Sequence, residues 1–401
     1  MRILLVIDGM HPREGGPPAV VAGSAATLAA LGHRVTVLTS LRPGDEAAVV
    51  ASWPQLAAHG IRLQTCSVES AGGFIGLPRQ RSLFDTAVRD ADVVHVHGLW
   101  SPLCVAVGRA AQRARVPCFF STHGLLDRRA MAQNWRKATK KRVAVRLFGY
   151  PALLRNSAGL VYGSAVEAEQ SWSLGSGITE HVIPNGADTS LGTTAPTDAE
   201  RAQLLAAVPA LADWRRVILC RSRIYPTKGL ARMVAAFEAV AEKFPDTGLL
   251  LAGLAQDHAH QRELEAMIAA SPFTARMALT TQLTGAGSQF VYQCASIFAA
   301  PSDFEGFSMA IVEGLANGRP QLITRFCHMD TVAEAGAGVI VEPSVTGVAE
   351  GLRLLLSLDD ANLGAMGLCA RRLFEDRYTW PRVADVLTAL YRAALGRGGR
   401  L

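Results

Sequence analysis

Val217-Ile218-Leu219-Cys220 runs directly into Arg221-Ser222-Arg223-Ile224-Tyr225-Pro226-Thr227-Lys228-Gly229 and then into an Ala-rich stretch. A short apolar run, a polar loop and a helical pattern make one strand-loop-helix unit, and the same unit recurs along the chain roughly every 20 to 35 residues. Before it, strands are expected at Arg2–Ile7, Arg34–Thr39, Arg62–Ser67, Val93–His97, Cys118–Thr122, Gly159–Tyr162 and His181–Pro184. Helices between them are expected to start near Ala19, Ala47, Gln80, Pro102, Gln133 and Ala165. After it, strands are expected at Gly248–Ala252, Met277–Gln282, Ile297–Ala300, Gln321–Thr324 and Val339–Val341. This alternation is what a parallel sheet with helices on both faces requires, so the fold class is α/β with two tandem doubly wound, Rossmann-like domains. The expected division is 1–190 and 216–380, with a Gly/Thr/Pro-rich linker over 191–215. A last helix, 381–401, is expected to pack back on the first domain. Ligands in such folds sit at the carboxyl ends of the strands, so a ligand is expected there, in a cleft between the domains.

The chain has 401 residues, enough for two or three domains each burying its own core. With 49% hydrophobic and 18% charged residues it is too apolar for a disordered protein. No apolar run reaches the ~18 to 20 residues needed to span a bilayer, and the Met1–Asp8 stretch reads as a first strand, not an export signal. Seven scattered cysteines without a CxxC pair suggest buried thiols in a reducing cytoplasm. The net charge of +6 is one-sided: residues 1–186 hold 20 Lys and Arg against 12 Asp and Glu, and residues 187–401 hold 20 against 22. A local basic patch in the first half follows from that split.

Two motifs carry the chemistry. Pro301-Ser302-Asp303-Phe304-Glu305-Gly306-Phe307-Ser308-Met309-Ala310-Ile311-Val312-Glu313 sets two carboxylates around a strand-to-helix junction. The free N–H groups of Phe307 to Ala310 would bind a diphosphate, and Gly306 allows close approach of the backbone. The bland alternative is a capping Glu and a solvated Glu. In the loop after Val217–Cys220, Arg223 could grip phosphate oxygens bidentately and Lys228 could add a point charge. A basic loop alone is weak, since most are merely solvated; joined to Glu305 and Glu313 it gains weight.

These residues resemble the retaining glycosyltransferases of GT-B fold grouped as family four, which includes bacterial lipopolysaccharide, capsule and exopolysaccharide sugar transferases. The resemblance spans almost the whole chain. Its marks are Gly15-Gly16, Gly32-His33-Arg34-Val35-Thr36-Val37, Asp92-Val93-Val94-His95-Val96-His97-Gly98, Pro184-Asn185-Gly186, Arg223 with Lys228-Gly229, and Glu305-Gly306-Phe307 leading to Glu313. It implies that Glu305 contacts donor-sugar hydroxyls, Glu313 the nucleotide ribose, and Arg223 and Lys228 the diphosphate, with His123 beside the donor sugar. Gly16, Ser222, Gly306, Phe307, Ser308 and Met309 complete the expected donor site. His123, Arg223, Lys228 and Glu305 form the expected catalytic set. Gly15, His97 and Trp100 are expected on the acceptor side. Three positions depart from the pattern: Ser222 replaces a Gly, Pro17-Pro18 follows Gly15-Gly16, and Gly314-Leu315-Ala316 replaces Ala-Met-Ala.

Other features exclude alternatives. Gly9 to Gly16 lacks GxGxxG spacing, so no NAD site is expected. Asp90-Ala91-Asp92 imitates a metal-binding DxD but precedes its strand, and His95-x-His97 has no third ligand in view, so no metal is expected. His95 reads as core. The thiols lack a partner base for nucleophilic work. Arg128 to Arg146 packs eight cations and no acid into 19 residues, interleaved with Met131, Trp135, Val143 and Val145. This stretch suits an anionic membrane surface or an acidic acceptor, or is a solvated face; it is not a nucleic-acid platform.

The expected activity is metal- and cofactor-independent transfer of a sugar from a nucleotide-sugar donor to a cell-surface glycan or lipid-linked acceptor, in the cytoplasm or on the inner face of the membrane. The rivals are a nucleotide-sugar epimerase or hydrolase and a non-catalytic sugar-nucleotide-binding module.

Overall fold

The computed structural model describes residues 1–14, 16–42, 44–66, 77–128, 139, 143, 145, 149–172, 177–281 and 287–398. They form two compact units: Met1–Gly186 together with the chain end from Trp380, and Ala187–Thr379.

The first unit holds a seven-stranded sheet of β1 (Arg2–Ile7), β2 (Arg34–Ser40), β3 (Arg62–Cys66), β4 (Val93–His97), β5 (Cys118–Ser121), β6 (Gly159–Tyr162) and β7 (Glu180–Val182). Every pairing is parallel and the order is β3-β2-β1-β4-β5-β6-β7. The order reverses direction between β1 and β4, and there the chain leaves the sheet to opposite sides, opening a crevice at the carboxyl ends. β1, β4, β5 and β6 are buried at nearly every position because helices cover both faces.

The second unit repeats the plan with β8 (Arg216–Arg221), β9 (Thr247–Ala252), β10 (Met277–Thr280), β11 (Ile297–Ala300), β12 (Gln321–Thr324) and β13 (Gly338–Val341), in the order β10-β9-β8-β11-β12-β13, all parallel. Its switch point lies between β8 and β11. Side chains alternate along β8: Val217 and Leu219 enter one core with Phe298 and Ile311, while Ile218 and Cys220 enter another with Phe237 and Leu251.

Residues 191–215, expected as a linker, are part of the second unit. Thr197 and Glu200 form a reciprocal capping box for the helix Asp198–Ala207, and Leu204, Val208 and Trp214 are buried in that unit's core. The Gly/Thr/Pro clusters mark turns between packed elements, not a free connector. The unit begins at Ala187, whose N–H donates to the carbonyl of Tyr378 at 2.8 Å.

The final helix, Trp380–Gly398, belongs to the first unit, where Val383, Ala384, Leu387 and Tyr391 join the core beneath β1 and β5. Trp380 fits against two glycines: a Cβ on Gly23 would stand 2.2 Å from its ring and one on Gly186 2.5 Å. No helix among the described residues is long and apolar enough to cross a membrane.

Candidate active site

In the second unit the loops that leave β8 and β11 carry the predicted donor residues. Arg221, the last residue of β8, follows Val217 and Leu219 onto their face and meets the helix Gly287–Cys294. Its Nη1 lies 2.6 Å from Glu313 Oε2 and 3.3 Å from the Tyr292 hydroxyl, and its guanidinium sits 5.3 Å from the Tyr292 ring centre. Tyr292 donates its hydroxyl to the same Glu313 oxygen at 2.6 Å. Burial works against the Arg221 charge, but Tyr292 and Glu313 outweigh it and push its pKa above the ordinary value. Burial, then Glu313, likewise pushes the Tyr292 phenol well up, so it stays a donor.

A second charged pair lies on the partner loops. Lys228 Nζ is 2.7 Å from Glu305 Oε1, and the two side chains are only 12% and 11% exposed. Ser302 Oγ donates to the same oxygen at 2.9 Å, and the Glu305 N–H donates to the Phe326 carbonyl at 3.1 Å. The loops are tied further by Asp303 N–H on the Thr227 carbonyl at 2.8 Å and by Arg232, which binds Asp303 at 2.6 Å and the Pro301 carbonyl at 2.8 Å. Gly229 permits this approach: its φ is +67°, and a Cβ there would lie 2.0 Å from the Pro301 carbonyl oxygen.

Arg223 is placed otherwise. It is exposed, and Nη1 donates to Gln256 Oε1 at 2.9 Å. The half-buried cation at the strand end is Arg221, which sequence reasoning passed over in favour of Arg223. Ser222 is half-buried and donates its hydroxyl to the Arg223 carbonyl at 3.1 Å. Ser308 is the N-cap residue of the helix Met309–Ala316, but its side chain caps nothing, so among the described residues the first-turn N–H groups of that helix have no side-chain cap. They form a positive helix end beside Gly306. The half-buried Phe307 ring packs 6.1 Å from Tyr378. Gly314 has a local reason: a Cβ there would lie 2.8 Å from the Gln321 side chain and 2.9 Å from the Phe298 ring.

In the first unit β4 ends at His97, and His123 follows β5. His97 Nδ1 and His123 Nε2 are 3.0 Å apart, with the rings stacked at 5.2 Å. His97, expected on the acceptor side, is only 6% exposed and lies against the His123 ring. His95, two residues back on the same face, is buried at 1%; its Nδ1 meets the Tyr391 hydroxyl at 2.6 Å and its Nε2 the Ser121 hydroxyl at 2.8 Å. Burial drives all three imidazoles to the neutral form, His95 down to about 3 and His123 to about 4.

His123 has a φ of +47°. What holds that backbone is Glu167, a residue no motif singled out. Its buried carboxylate accepts from the Thr122 hydroxyl at 2.6 Å, from the Gly124 N–H at 2.6 Å and from the Gly163 N–H at 2.7 Å, bracketing His123 on both sides. Gly16, exposed, opens the helix Gly16–Ala30, and Gly15 lies outside the described residues. Trp100 is half-buried, donating Nε1–H to the Leu125 carbonyl at 3.1 Å and packing 5.4 Å from Tyr150. Asp92 sits at the amino edge of the sheet, paired with Arg2 at 2.6 Å. All seven cysteines are free, and burial raises the thiols of Cys104 and Cys327 to about 12. Of the basic stretch, Arg128 is described, exposed and bonded to the Ser171 carbonyl at 3.1 Å; its other seven cations lie outside the described residues.

Residues 15–186 match the glycosyl transferase 4-like domain and residues 205–365 the glycosyl transferases group 1 domain. The chain is similar to the GDP-mannose-dependent monoacylated alpha-(1-6)-phosphatidylinositol monomannoside mannosyltransferase of Corynebacterium glutamicum, 25% identical with 98% of each chain covered. It is also similar to the GDP-mannose:cellobiosyl-diphosphopolyprenol alpha-mannosyltransferase of Xanthomonas oryzae, 25% identical over 99% of this chain and 98% of that one. Among solved structures, Anabaena HepE in complex with UDP superposes with a TM-score of 0.77 at 18% identity, covering 98% of this chain and 100% of that one. Two Rossmann-like parallel-sheet units of this kind are the GT-B architecture.

Proposed function

The chain is a glycosyltransferase, assembled from a glycosyl transferase 4-like domain and a group 1 domain, and from that premise we propose that it is a retaining, metal-independent enzyme that moves a sugar from a nucleotide-sugar donor to a lipid-linked glycan acceptor. The observation that carries this reading is the pair of ion-paired clusters, Lys228–Glu305 on the loops of one switch point and Arg221–Glu313 from the strand end and helix beside them, next to a helix start that its N-cap side chain leaves open. Cations and open N–H groups stabilise the negative charge that grows on a departing diphosphate, and they do so without a metal. The donor is held with its diphosphate at Lys228 and the N–H groups of Ser308 to Ala310, its sugar at Glu305 and its ribose at Glu313. Arg221 and Tyr292 keep the Glu313 carboxylate in place. Arg223 reaches the same ligand from the exposed side of the loop.

The Gly16 and His123 loops and Trp100 handle the sugar and acceptor. The acceptor hydroxyl attacks the anomeric carbon as the bond to diphosphate breaks, its proton leaving with the phosphate oxygen; no protein nucleophile takes part. GDP-mannose is the first donor to try, because the two curated relatives named above are GDP-mannose-dependent. The basic stretch Arg128–Arg146 suits an anionic membrane surface or a diphosphate-bearing acceptor, which supports a reading of the enzyme as working in the cytoplasm against the inner face of the membrane.

The test is nucleoside diphosphate release from GDP-mannose and UDP-glucose, with and without a polyprenyl-diphosphate glycan. Release that needs acceptor supports transfer. Release at the same rate without acceptor indicates a hydrolase, and tight binding without turnover a non-catalytic module.

A further inference from the structure

We propose that His97 is a positioning residue that fixes His123 as the Nδ1–H tautomer, so that His123 meets a bound sugar only as a hydrogen-bond donor. The inference rests on the reading of His123 as a ligand-contacting residue. His97 Nδ1 and His123 Nε2 are 3.0 Å apart, so one proton lies between them and two arrangements exist. If His123 donates, the proton of neutral His97 must sit on Nε2. That atom is buried and has no hydrogen-bond partner among the described residues, so this arrangement strands an N–H donor. If His97 donates from Nδ1, only a lone pair is left unused at Nε2. Stranded buried N–H groups are the rarer defect in proteins, so the second arrangement holds. His123 then accepts at Nε2 and carries its own proton on Nδ1, an atom with no hydrogen bond to the described residues.

Neighbouring groups keep this choice in place. The His95 ring stacks 4.6 Å from His97, and Tyr391 and Ser121 hold both of its nitrogens. His97 therefore cannot rotate to find another partner for Nε2 without breaking the stack. Glu167 clamps the backbone on both sides of His123, and the bond and stacking to His97 hold its ring, so Nδ1 is presented in one direction. A donor fixed at Nδ1 selects ligand atoms that accept, such as a sugar hydroxyl oxygen. It also rules out His123 taking the acceptor's proton through that atom.

The experiment is long-range proton–nitrogen correlation NMR on ligand-free full-length protein labelled in histidine nitrogen, with His123→Gln to assign the signal. The expected result is a His123 Nδ1 at the protonated, pyrrole-like position and an Nε2 at the bare, pyridine-like one. The reverse pattern in the wild type overturns the proposal without any variant needing to fold. In His97→Phe, which keeps a flat ring in the stack and removes the donor, the His123 pattern is expected to shift toward Nε2–H; an unchanged pattern also overturns it. Donor kinetics of His97→Phe report the underlying reading separately. A five- to tenfold rise in donor KM with kcat little changed is the size of one lost neutral hydrogen bond. Unchanged kinetics alongside a shifted tautomer leave the tautomer assignment standing and remove His123 from the sugar site.

Discussion

At the residue scale, Lys228 and Glu305 are nearly buried partners, and that changes what a substitution there does. Lys228→Ala is expected to cut turnover by roughly 10², and it also leaves Glu305 buried without its cation, costing on the order of 3 kcal/mol. Combining it with Glu305→Gln should restore most of the thermal stability and none of the activity; melting curves and diphosphate-release rates on both variants check this. Glu305→Gln alone is expected mainly to lower kcat. Glu313→Gln should instead raise donor KM and weaken nucleoside diphosphate binding about tenfold by calorimetry, as should Tyr292→Phe to a smaller degree, because each loosens the cluster around Arg221. The carboxylates and Lys228 were legible in the sequence since they flank a strand-to-helix junction. Arg221 was overlooked because a loop motif drew attention to Arg223. The available signal was the alternation along β8, which sends Arg221 to the side of Val217 and Leu219 and so into the core edge where Tyr292 waits. Glu167 carried no signal, since its three partners come from the loops after β5 and β6, which only the folded sheet brings together.

At the element scale, the joint between the Lys228 loop and the Pro301 loop depends on one backbone conformation. Gly229→Ala is expected to destabilise the second unit by at least 1 kcal/mol, since it pays for a positive φ and for a Cβ driven into the Pro301 carbonyl. Donor KM should rise in the same variant because Lys228 moves with the turn; thermal melts and donor titration read the two effects. Strands and most helix starts were legible because β-branched and aliphatic runs alternate with Ala-rich stretches at regular spacing. The short Ala/Leu helix within 191–215 is legible in the sequence, but its turn-rich surroundings read as a connector, and only the burial of Leu204, Val208 and Trp214 assigns the segment to the second unit. The basic stretch Arg128–Arg146 gives a prediction of its own kind: replacing Lys137, Lys140, Lys141 and Arg142 by Gln should reduce binding to vesicles containing phosphatidylglycerol, each charge being worth ~1 kcal/mol near such a surface. Retained vesicle binding with lower activity would assign the stretch to the acceptor.

At the scale of the molecule, the stacked imidazoles make stability depend on acidity. His95, His97 and His123 all have folded pKa values below the ordinary 6.5, because burial opposes the charged form. The unfolded chain therefore takes up protons first as pH falls. Stability is fully present above about 6.5 and is lost as pH drops toward about 4, at up to ~1.4 kcal/mol per pH unit for each imidazole that stays neutral. Urea unfolding of the first unit followed between pH 7 and 4.5 should show this, and His95→Phe with Tyr391→Phe should flatten the slope. A pH-independent midpoint would contradict the neutral stack.

The return of the helix Trp380–Gly398 to the first unit has a consequence for how the protein is made. The second unit, Ala187–Thr379, is one uninterrupted piece and can close as soon as Thr379 clears the ribosome. The first unit, although begun earlier, lacks the strip that packs with Ile3, Leu28 and Phe119 until the helix Trp380–Gly398 has been translated. Folding during translation ordinarily completes domains from the N-terminus onward. Here the order of completion is inverted, and the apolar residues that Val383, Ala384, Leu387 and Tyr391 will cover stay open in the nascent first unit for the whole time the second is being translated.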